Sequence, residues 1–334
     1  MVNSKKINIG ISIGDPNGIG IEIILKTLSD RNLYKECTFI VYSSEDLIKK
    51  QQDFFKIKTV PIKKIHSINE ANDDFINIKE VFTDSKFEFG KNDRDVSAMG
   101  IISFKEAVND SIKGEIDVLI TAPINKELSY SNTFKYSGHT DYLKNILNED
   151  PMMLMVSKNL KLGLLTEHIP LRDVVKEITT KKVIKKIKTL RETLRKDFLI
   201  KHPKIAILAI NPHAGDNGVI GSEDQEVLIP AIAKNNKNKY LTYGPFSADT
   251  FFCNENFKKY DGIIAAYHDQ GLIPFKTMSF GKGVNYSAGL SIIRTSPDHG
   301  TGFDIAGKGI ASSTSFLQAI KVGINIYKSR NTIV

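Results

Sequence analysis

The chain has 334 residues, 41% of them hydrophobic, which is typical of a globular protein and excludes a disordered one. A formal net charge of +8 would suit a nucleic-acid partner, but the lysines are spread along the chain, and we predict no such partner. The densest run, residues 181–188, has apolar residues at helical spacing and is predicted to be the solvated face of an amphipathic helix.

Cysteine usage and apolar run lengths indicate a cytoplasmic protein. Cys37 and Cys253 lie far apart and outside any CxxC motif, so no disulfide framework is expected. The first residues lack the apolar core and cleavage site of a signal peptide. No apolar run approaches the ~20 residues that span a bilayer, so we predict no membrane partner.

Apolar stretches alternate with amphipathic segments along the chain. The predicted strands are 7–13, 38–42, 118–122, 161–166, 205–210 and 262–266, and the predicted helices include 19–28, 99–113 and 171–190. This alternation is typical of a largely parallel sheet covered by helices, so the predicted fold class is α/β. We find no internal repeat and no linker of biased composition.

Unusual residues follow the predicted strands directly. The loops after five of the six read "GDPNGIG", "TAPINK", "TEHIPL", "NPHAGDNG" and "YHDQG". Because open α/β sheets bind ligands beyond the carboxyl ends of their strands, these five loops are predicted to line one cleft.

Three of the seven histidines lie in these loops: His168, His213 and His268. Three neutral imidazoles with an open position are a usual arrangement for a catalytic divalent metal. The spacing is long, and histidines that cap helices or bond the backbone are the alternative. Asp269 could fix the tautomer of His268. The two histidines in lysine-rich surroundings, His66 and His202, are predicted to be surface residues.

A further histidine, His139, lies in "SGHTDYL" beside Thr140. Together they offer donors for an anionic or hydroxyl group of a substrate. The alternative is a helix N-terminus with Thr140 as its cap. Both interpretations can hold, because helix N-termini themselves bind anions.

Residues 271–309 combine glycines with basic and polar side chains. Lys276 and Arg294 would complement a phosphate or carboxylate, and the apolar run in "GLSIIRT" would hold Arg294 at a strand end. The opening "GDPNGIGIE" is similar to a phosphate loop but is neither GxGxxG nor a Walker A motif. By contrast, "DHGTGFDIAGKG" is distinctive.

At these residues the sequence resembles a known family. The motifs "GDPNGIGIE", "TAPINK", "GHTDYL", "HIPL", "NPHAGDNG", "GPFSADT", "YHDQGLIPFK", "GVN" and "IRTSPDHGT" occur in the order found in 4-hydroxythreonine-4-phosphate dehydrogenases. The opening segment and "HGTGFDIAGKG" also resemble isopropylmalate and isocitrate dehydrogenases. The resemblance implies their fold, two α/β domains with a cleft between them. The expected cofactor-side domain is approximately 1–135 plus 283–334, and the metal, substrate and dimerisation domain is approximately 136–282.

The resemblance also implies roles for individual residues. The metal ligands would be His168, His213 and His268, shared between the subunits of a homodimer. The substrate-binding residues would be His139, Thr140, Lys276, Asn285 and Arg294, and the cofactor-binding residues His299, Gly300, Thr301 and Gly302. Asp249, Asp269 and Lys276 are candidate catalytic groups. Three positions depart from the family's usual residues, namely Asn17, Asp141 and Glu167, and Glu167 adds a carboxylate beside a metal ligand.

The implied activity is NAD- or NADP-dependent oxidation and decarboxylation of 4-phosphooxy-L-threonine, with Zn, Mg, Mn or Co as the metal. A related dehydrogenase of 4-phospho-threonate or 4-phospho-erythronate is the nearest alternative. A metal-dependent hydrolase could also use three histidines to activate water, but it gives no reason for "HGTGFDIAGKG". A non-catalytic phosphate-binding module gives no reason for metal-type ligands in the strand-end loops.

Overall fold

Strands and helices alternate along the chain, which confirms the α/β class. The computed structural model describes residues 6–131 and 134–332. The strands in these ranges are β1 (Ile7–Ser12), β2 (Cys37–Ser43), β3 (Ile62–Ile65), β4 (Ile76–Glu80), β5 (Val118–Thr121), β6 (Met152–Val156), β7 (Lys161–Leu164), β8 (Lys204–Leu208), β9 (Leu241–Phe246), β10 (Gly262–Ala265), β11 (Val284–Ala288) and β12 (Arg294–Pro297).

The helices are α1 (Gly20–Leu28), α2 (Glu45–Phe55), α3 (Arg94–Ile112), α4 (Lys126–Ser129), α5 (His139–Leu147), α6 (Val174–Glu177), α7 (Thr180–Lys196), α8 (Ile229–Lys237), α9 (Ala248–Phe251), α10 (His268–Ser279) and α11 (Thr314–Thr332). None of the helices in the described part of the chain is long and apolar enough to cross a bilayer.

The chain divides into two compact units. The first comprises the chain up to Asn148 together with Ser291–Tyr327, and the second comprises Glu149–Leu290 together with the residues from Lys328 onward. Residues 136–148 thus group with the first unit. Residues 283–290 group with the second, because β11 pairs antiparallel with β6. The predicted boundaries at 135/136 and 282/283 shift accordingly.

The first unit contains a six-stranded parallel sheet in the order β3-β4-β2-β1-β5-β12. Every residue of β2 is buried, and so is every residue of β1 except Asn8. A parallel sheet covered on both faces requires such continuous apolar strands, which is why the sequence pattern revealed them.

In the second unit the order is β11-β6-β7-β10-β8-β9. Strand β6 runs antiparallel to both of its neighbours, and the other pairs are parallel. A core of aliphatic and aromatic side chains, among them Leu162, Leu208 and Phe275, packs against this sheet. The carboxyl ends of β7, β8 and β10 therefore lie at one edge, where their loops begin.

The predicted helix 171–190 is wrong as one continuous element. A 3-10 helix at Leu171–Asp173 and the short α6 come first, and Ile178 is extended, with φ −89° and ψ 100°. The hydroxyl of Thr179 then accepts a hydrogen bond from Lys182 N at 3.3 Å. This side-chain cap starts a new helix, α7, and so interrupts the pattern.

The lysine-rich run on α7 also departs from the prediction at one position. Lys181, Lys185 and Lys188 are exposed as expected, but Lys186 is only 7% exposed. Its Nζ donates to Pro151 O at 3.1 Å. One of these lysines is therefore part of the interior of the second unit and does not belong to a solvated face.

Candidate active site

Arg294 and His139 are in contact within the first unit. Arg294 begins β12 beside β5 and is 3% exposed. Its Nε donates to Thr121 Oγ1 at 3.0 Å, and its Nη2 lies 3.2 Å from His139 Nδ1. The residue begins β12, whereas the apolar run before it, residues 289–293, is not a strand, so the expected strand lies after Arg294 and not before it.

This contact assigns the tautomer of His139. A guanidinium can only donate, so Nδ1 accepts and Nε2 carries the proton. Nε2 is shielded from solvent and has no hydrogen-bond partner among the described residues. Burial, followed by the positive charges of Arg294 and Lys126, holds the pKa of His139 well below its ordinary value of 6.5. The ring is therefore neutral near pH 7 and offers one unused N–H donor.

Two cations accompany that donor. Burial lowers the pKa of Arg294 to about 9, so its guanidinium remains charged at pH 7. Lys126 follows β5 in the "TAPINK" loop, and burial also lowers its pKa. The buried positive charge of Arg294 and the nearby charge of Lys126, which is exposed, both favour an anionic ligand. The sequence analysis named neither Lys126 nor Thr121 as a site residue, although the strand-end position of "TAPINK" was a signal for both.

The N-terminus of α5 completes this group. The helix begins at His139, and its N-cap is Gly138, whose φ of 153° is rarely adopted by other residues. Thr140 lies in the first helical turn, so the alternative that Thr140 caps the helix is wrong. The predicted helix N-terminus is confirmed, and its unbonded N–H groups add to the attraction for an anion.

The depressed pKa of His139 predicts a pH-dependent stability. The unfolded chain protonates His139 near pH 6.5, and the folded chain does so only at lower pH. The contribution of the neutral ring to the free energy of unfolding is therefore complete above pH 6.5 and is lost as the pH falls. A His139→Gln protein should gain stability relative to wild type between pH 7 and 5, by at most about 1.4 kcal/mol per pH unit. Urea unfolding at several pH values measures this difference. Parallel stability curves would contradict the assigned cause.

The segment from His299 to Gly302 packs against the first glycine-rich loop. Ile19 N donates to Thr301 O at 2.9 Å. A Cβ built on Gly18 would lie 2.7 Å from the same oxygen, so only glycine permits this approach. His299 Nδ1 lies 3.0 Å from Gly300 O, to which it donates, and its Nε2 is a buried acceptor without a partner among the described residues. A ligand hydroxyl would satisfy that acceptor.

Two of the three predicted metal ligands are adjacent in the second unit. The ring centroids of His168 and His268 are 5.6 Å apart, with an interplanar angle of 43°. Asp269 Oδ1 accepts from His268 Nδ1 at 2.7 Å, which leaves the lone pair on Nε2. Both rings line a cavity of about 340 Å³ together with Tyr267, the acidic residues Glu167 and Asp269, and apolar side chains. This donor set fits a borderline divalent cation.

His213 lies in an unusual backbone conformation at the end of β8. The five residues from His213 to Asn217 have φ between 41° and 78°, in the left-handed region. The buried carboxylate of Asp224 holds the base of this loop by accepting from Ile210 N at 2.8 Å and Asn211 N at 3.0 Å. Within the described residues of one chain, no group of three or more His, Cys, Asp or Glu is close enough to hold a metal.

The other predicted residues are distributed over both units. Thr140 is half-buried in the first unit, and Asn285 is half-buried on β11 in the second. Lys276 is exposed on α10, and Asp249 is exposed on α9, where its Oδ1 accepts from Thr250 N at 2.9 Å. His66 and His202 are exposed, which confirms their prediction as surface residues.

Glu167 lines the same cavity as His168 and His268, and one of its carboxylate oxygens is bonded within the second unit. Its Oε1 accepts from Met153 N at 3.2 Å and lies 3.6 Å from Lys186 Nζ. The sequence analysis missed Lys186, because only the three-dimensional structure brings α7 to the end of β7. The extra carboxylate is therefore engaged by the chain itself.

Solved structures first define the class of fold. The crystal structure of 4-hydroxythreonine-4-phosphate dehydrogenase from Klebsiella pneumoniae superposes with a TM-score of 0.84 at 30% identity, covering 97% of this chain and 98% of that one. Isocitrate dehydrogenase from Methylococcus capsulatus superposes with a TM-score of 0.51 at 12% identity, covering 97% of this chain and 87% of that one, and this likeness concerns the fold alone. The fold is thus of the isocitrate dehydrogenase-like α/β class.

Sequence relatives then define the family. The family described as "Pyridoxal phosphate biosynthetic protein PdxA" matches residues 35–323. The 4-hydroxythreonine-4-phosphate dehydrogenase of Bacteroides thetaiotaomicron is 39% identical over 332 residues, which are 98% of this chain and 91% of the relative. A Clostridium botulinum protein provisionally named D-threonate 4-phosphate dehydrogenase is 34% identical over 96% of both chains. The chain belongs to the PdxA family, as the motifs in its sequence indicated.

Proposed function

We propose that the protein is an NAD(P)-dependent, metal-requiring dehydrogenase that converts 4-phosphooxy-L-threonine to 3-amino-2-oxopropyl phosphate and CO2. The observation that carries this proposal is the buried group of Arg294 and neutral His139 at the N-terminus of α5 in a chain of the PdxA family. Such a group suits a small substrate with anionic ends, and the named activity of the relatives uses a phosphorylated one.

The residues of the first unit would bind and orient the substrate. Arg294 and Lys126 supply positive charge, and His139 Nε2–H donates to a hydroxyl or anionic oxygen. Thr140, in the same helical turn, offers its hydroxyl as a second hydrogen-bond donor. Fixing a substrate in a reactive geometry can lower a barrier by ~7–11 kcal/mol. Lys276 and Asn285 are the further substrate-binding residues that the resemblance to the family implies.

The residues of the second unit would hold a divalent metal through His168, His213 and His268. Asp269 fixes the ring of His268 so that Nε2 is the ligating atom. A metal ion and a nicotinamide, when bound, supply a Lewis acid at the substrate hydroxyl and an acceptor for the hydride. Asp249 and Asp269 are the candidate proton acceptors, because both carboxylates are exposed.

His299, Gly300, Thr301 and Gly302 would bind the cofactor, and their position depends on Gly18. In a Gly18→Ala protein the new Cβ would displace Thr301, because the contact is with backbone. We expect kcat/KM for the cofactor to fall about 10- to 100-fold, since small displacements at a reactive site are costly. Steady-state kinetics with varied cofactor measure this. An Asn109→Ala protein is the control, because Asn109 is exposed on the helix α3, and equal cofactor kinetics in both proteins would contradict the role.

We further propose a homodimer in which the metal site is shared between subunits. Large apolar side chains are exposed on segments of the second unit that carry the metal ligands, including Leu171, Val219, Ile273 and Phe280. Val219 and Phe280 are each 83% exposed. Exposed apolar side chains that are close in sequence to functional loops are typical of a contact with another chain. A cytoplasmic location belongs to the same proposal, and neither cysteine forms a disulfide within the described residues.

The Clostridium botulinum relative favours a second candidate substrate, a four-carbon phosphorylated hydroxy acid without the amine. An assay of NAD(P)H formation with 4-phosphooxy-threonine, 4-phospho-threonate and 4-phospho-erythronate decides between them. It should be run with both cofactors and with metal restored after chelation. Turnover of the amine-bearing substrate alone supports the first proposal. Turnover of the other two alone supports the second, and no turnover of any contradicts both.

A further inference from the structure

Lys186 is a buried cation on α7, and the proposed activity gives it no role. Its neighbours Val183, Ile187 and Leu190 are buried on the same helix. Its ammonium group donates to Pro151 O at 3.1 Å and lies 3.6 Å from Glu167 Oε1. Burial lowers the pKa of Lys186, and the negative charge of Glu167 opposes that effect. Keeping a cation in this interior has a cost that an apolar side chain would avoid.

Glu167 is the residue immediately before His168, and its side chain is fixed at a defined point. It is 22% exposed, and its Oε1 accepts from Met153 N at 3.2 Å at the start of β6. The preceding residue, Thr166, bonds to Ala266 O through both N and Oγ1, at 3.2 and 2.8 Å. Two consecutive residues before His168 are therefore anchored to the sheet, one on each side.

We propose that Lys186 and Glu167 form a positioning pair that sets the orientation of His168 toward a divalent metal ion. This inference rests on the metal-dependent function proposed above. The pair links α7 to the loop before β6 and to the end of β7. The residue immediately before His168 is therefore held in one position, which restricts the backbone of His168. Residues that orient a metal ligand from behind typically change metal affinity or activity by 10- to 100-fold when they are replaced.

The ion pair also explains why a glutamate is tolerated beside a metal ligand. A carboxylate held by Met153 N and Lys186 has its charge balanced within the second unit. Its Oε1 is therefore engaged by the chain at the wall of the cavity that His168 also lines, and does not compete with a substrate oxygen for the metal. The glutamate and the buried lysine are in this sense one feature, and neither is useful without the other.

The test is a zinc titration by calorimetry on the full-length protein after removal of metal with a chelator. In a Lys186→Met protein the apolar stem is kept and the charge is lost, and zinc should bind about 10- to 100-fold more weakly. Lys185→Met is the matched control, because the neighbouring Lys185 makes only an exposed ion pair, with Asp150 at 2.7 Å. Lys186→Arg should restore part of the affinity. The absorption of bound Co2+ should change in Lys186→Met and not in the control.

A purely structural role would lower the free energy of unfolding and leave the zinc affinity of the folded protein unchanged. That result would overturn the inference, and turnover by the wild type would meanwhile leave the proposed function intact. A wild type that binds no divalent metal overturns both. Should Lys186→Met not fold, Glu167→Gln replaces it, since the amide keeps an acceptor for Met153 N and removes the charge. Unchanged zinc affinity in Glu167→Gln also overturns the inference.

Discussion

An Arg294→Met protein is expected to lose between about 30-fold and a few thousand-fold in kcat/KM for 4-phosphooxy-threonine. Removing a buried, hydrogen-bonded charge from a charged contact costs about 2–5 kcal/mol. The structure gives the reason, since Arg294 is 3% exposed and is held on Thr121 and His139. His139 would also lose the donor that fixes its tautomer. Initial rates of NAD(P)H formation over a range of substrate concentrations measure the effect.

Two further variants make this prediction specific. Arg294→Lys keeps the charge and loses the planar fork, so its activity should lie between wild type and Arg294→Met. Arg195→Met removes a half-exposed arginine from α7 and should match the wild type. If Arg294→Met bound and turned over substrate as well as Arg195→Met does, the proposed anion site would be wrong.

His268→Ala is expected to abolish tight binding of divalent metal and to lower turnover by at least about 100-fold. The side chain of His268 is 36% exposed, so its loss should change the stability of the metal-free protein by less than about 0.5 kcal/mol. Metal content after dialysis, turnover and urea unfolding report these quantities separately. Asp269→Asn should show a smaller effect, about 10- to 100-fold in metal affinity, because it disturbs only the orientation of the ring.

An exposed histidine outside the site serves as the control for that experiment. His202→Ala should retain full metal content and turnover, since His202 is exposed and precedes the amino end of β8, whereas His213 follows the carboxyl end of that strand. Full turnover by a His268→Ala protein from which all metal has been removed would falsify the metal role.

The strands that the sequence analysis found are apolar runs buried along most of their length, although β6, which reads "MMLMV" and is fully buried, was missed. β1, β2, β5 and β10 are apolar along nearly their whole length because helices cover both faces. β12 reads "RTSP" and was not predicted as a strand. Its polar side chains form hydrogen bonds with residues that are distant in the sequence. For example, Thr295 Oγ1 donates to Ala319 O at 2.8 Å. A short window of sequence does not contain those partners.

In the candidate site, too, some residues could be identified from the sequence and others could not. Histidines and arginine in strand-end loops could be identified because their chemistry is unusual for a connection. Thr121 and Lys126 lie in a strand-end segment that was predicted to line the cleft, but neither was singled out. Lys186 could not be identified, because it is an ordinary residue whose importance depends on what folding brings beside it. The break between α6 and α7 has a similar cause, since Thr179 can either continue a helix or cap one. Only the surrounding packing decides between these states.

The left-handed backbone around His213 limits how a mutational survey of this protein should be interpreted. Ala214, Asp216 and Asn217 hold conformations that cost a side-chain-bearing residue roughly 1–2 kcal/mol each, and more if the side chain is branched at Cβ. Substitutions there by residues branched at Cβ will be poorly tolerated whether or not the side chains meet a substrate, whereas glycine will relieve the strain. A loss of function after substitution in this stretch would therefore reflect the conformation of the loop before any contact with a substrate. At His213, the effect on loop conformation and the effect on metal binding would have to be measured separately.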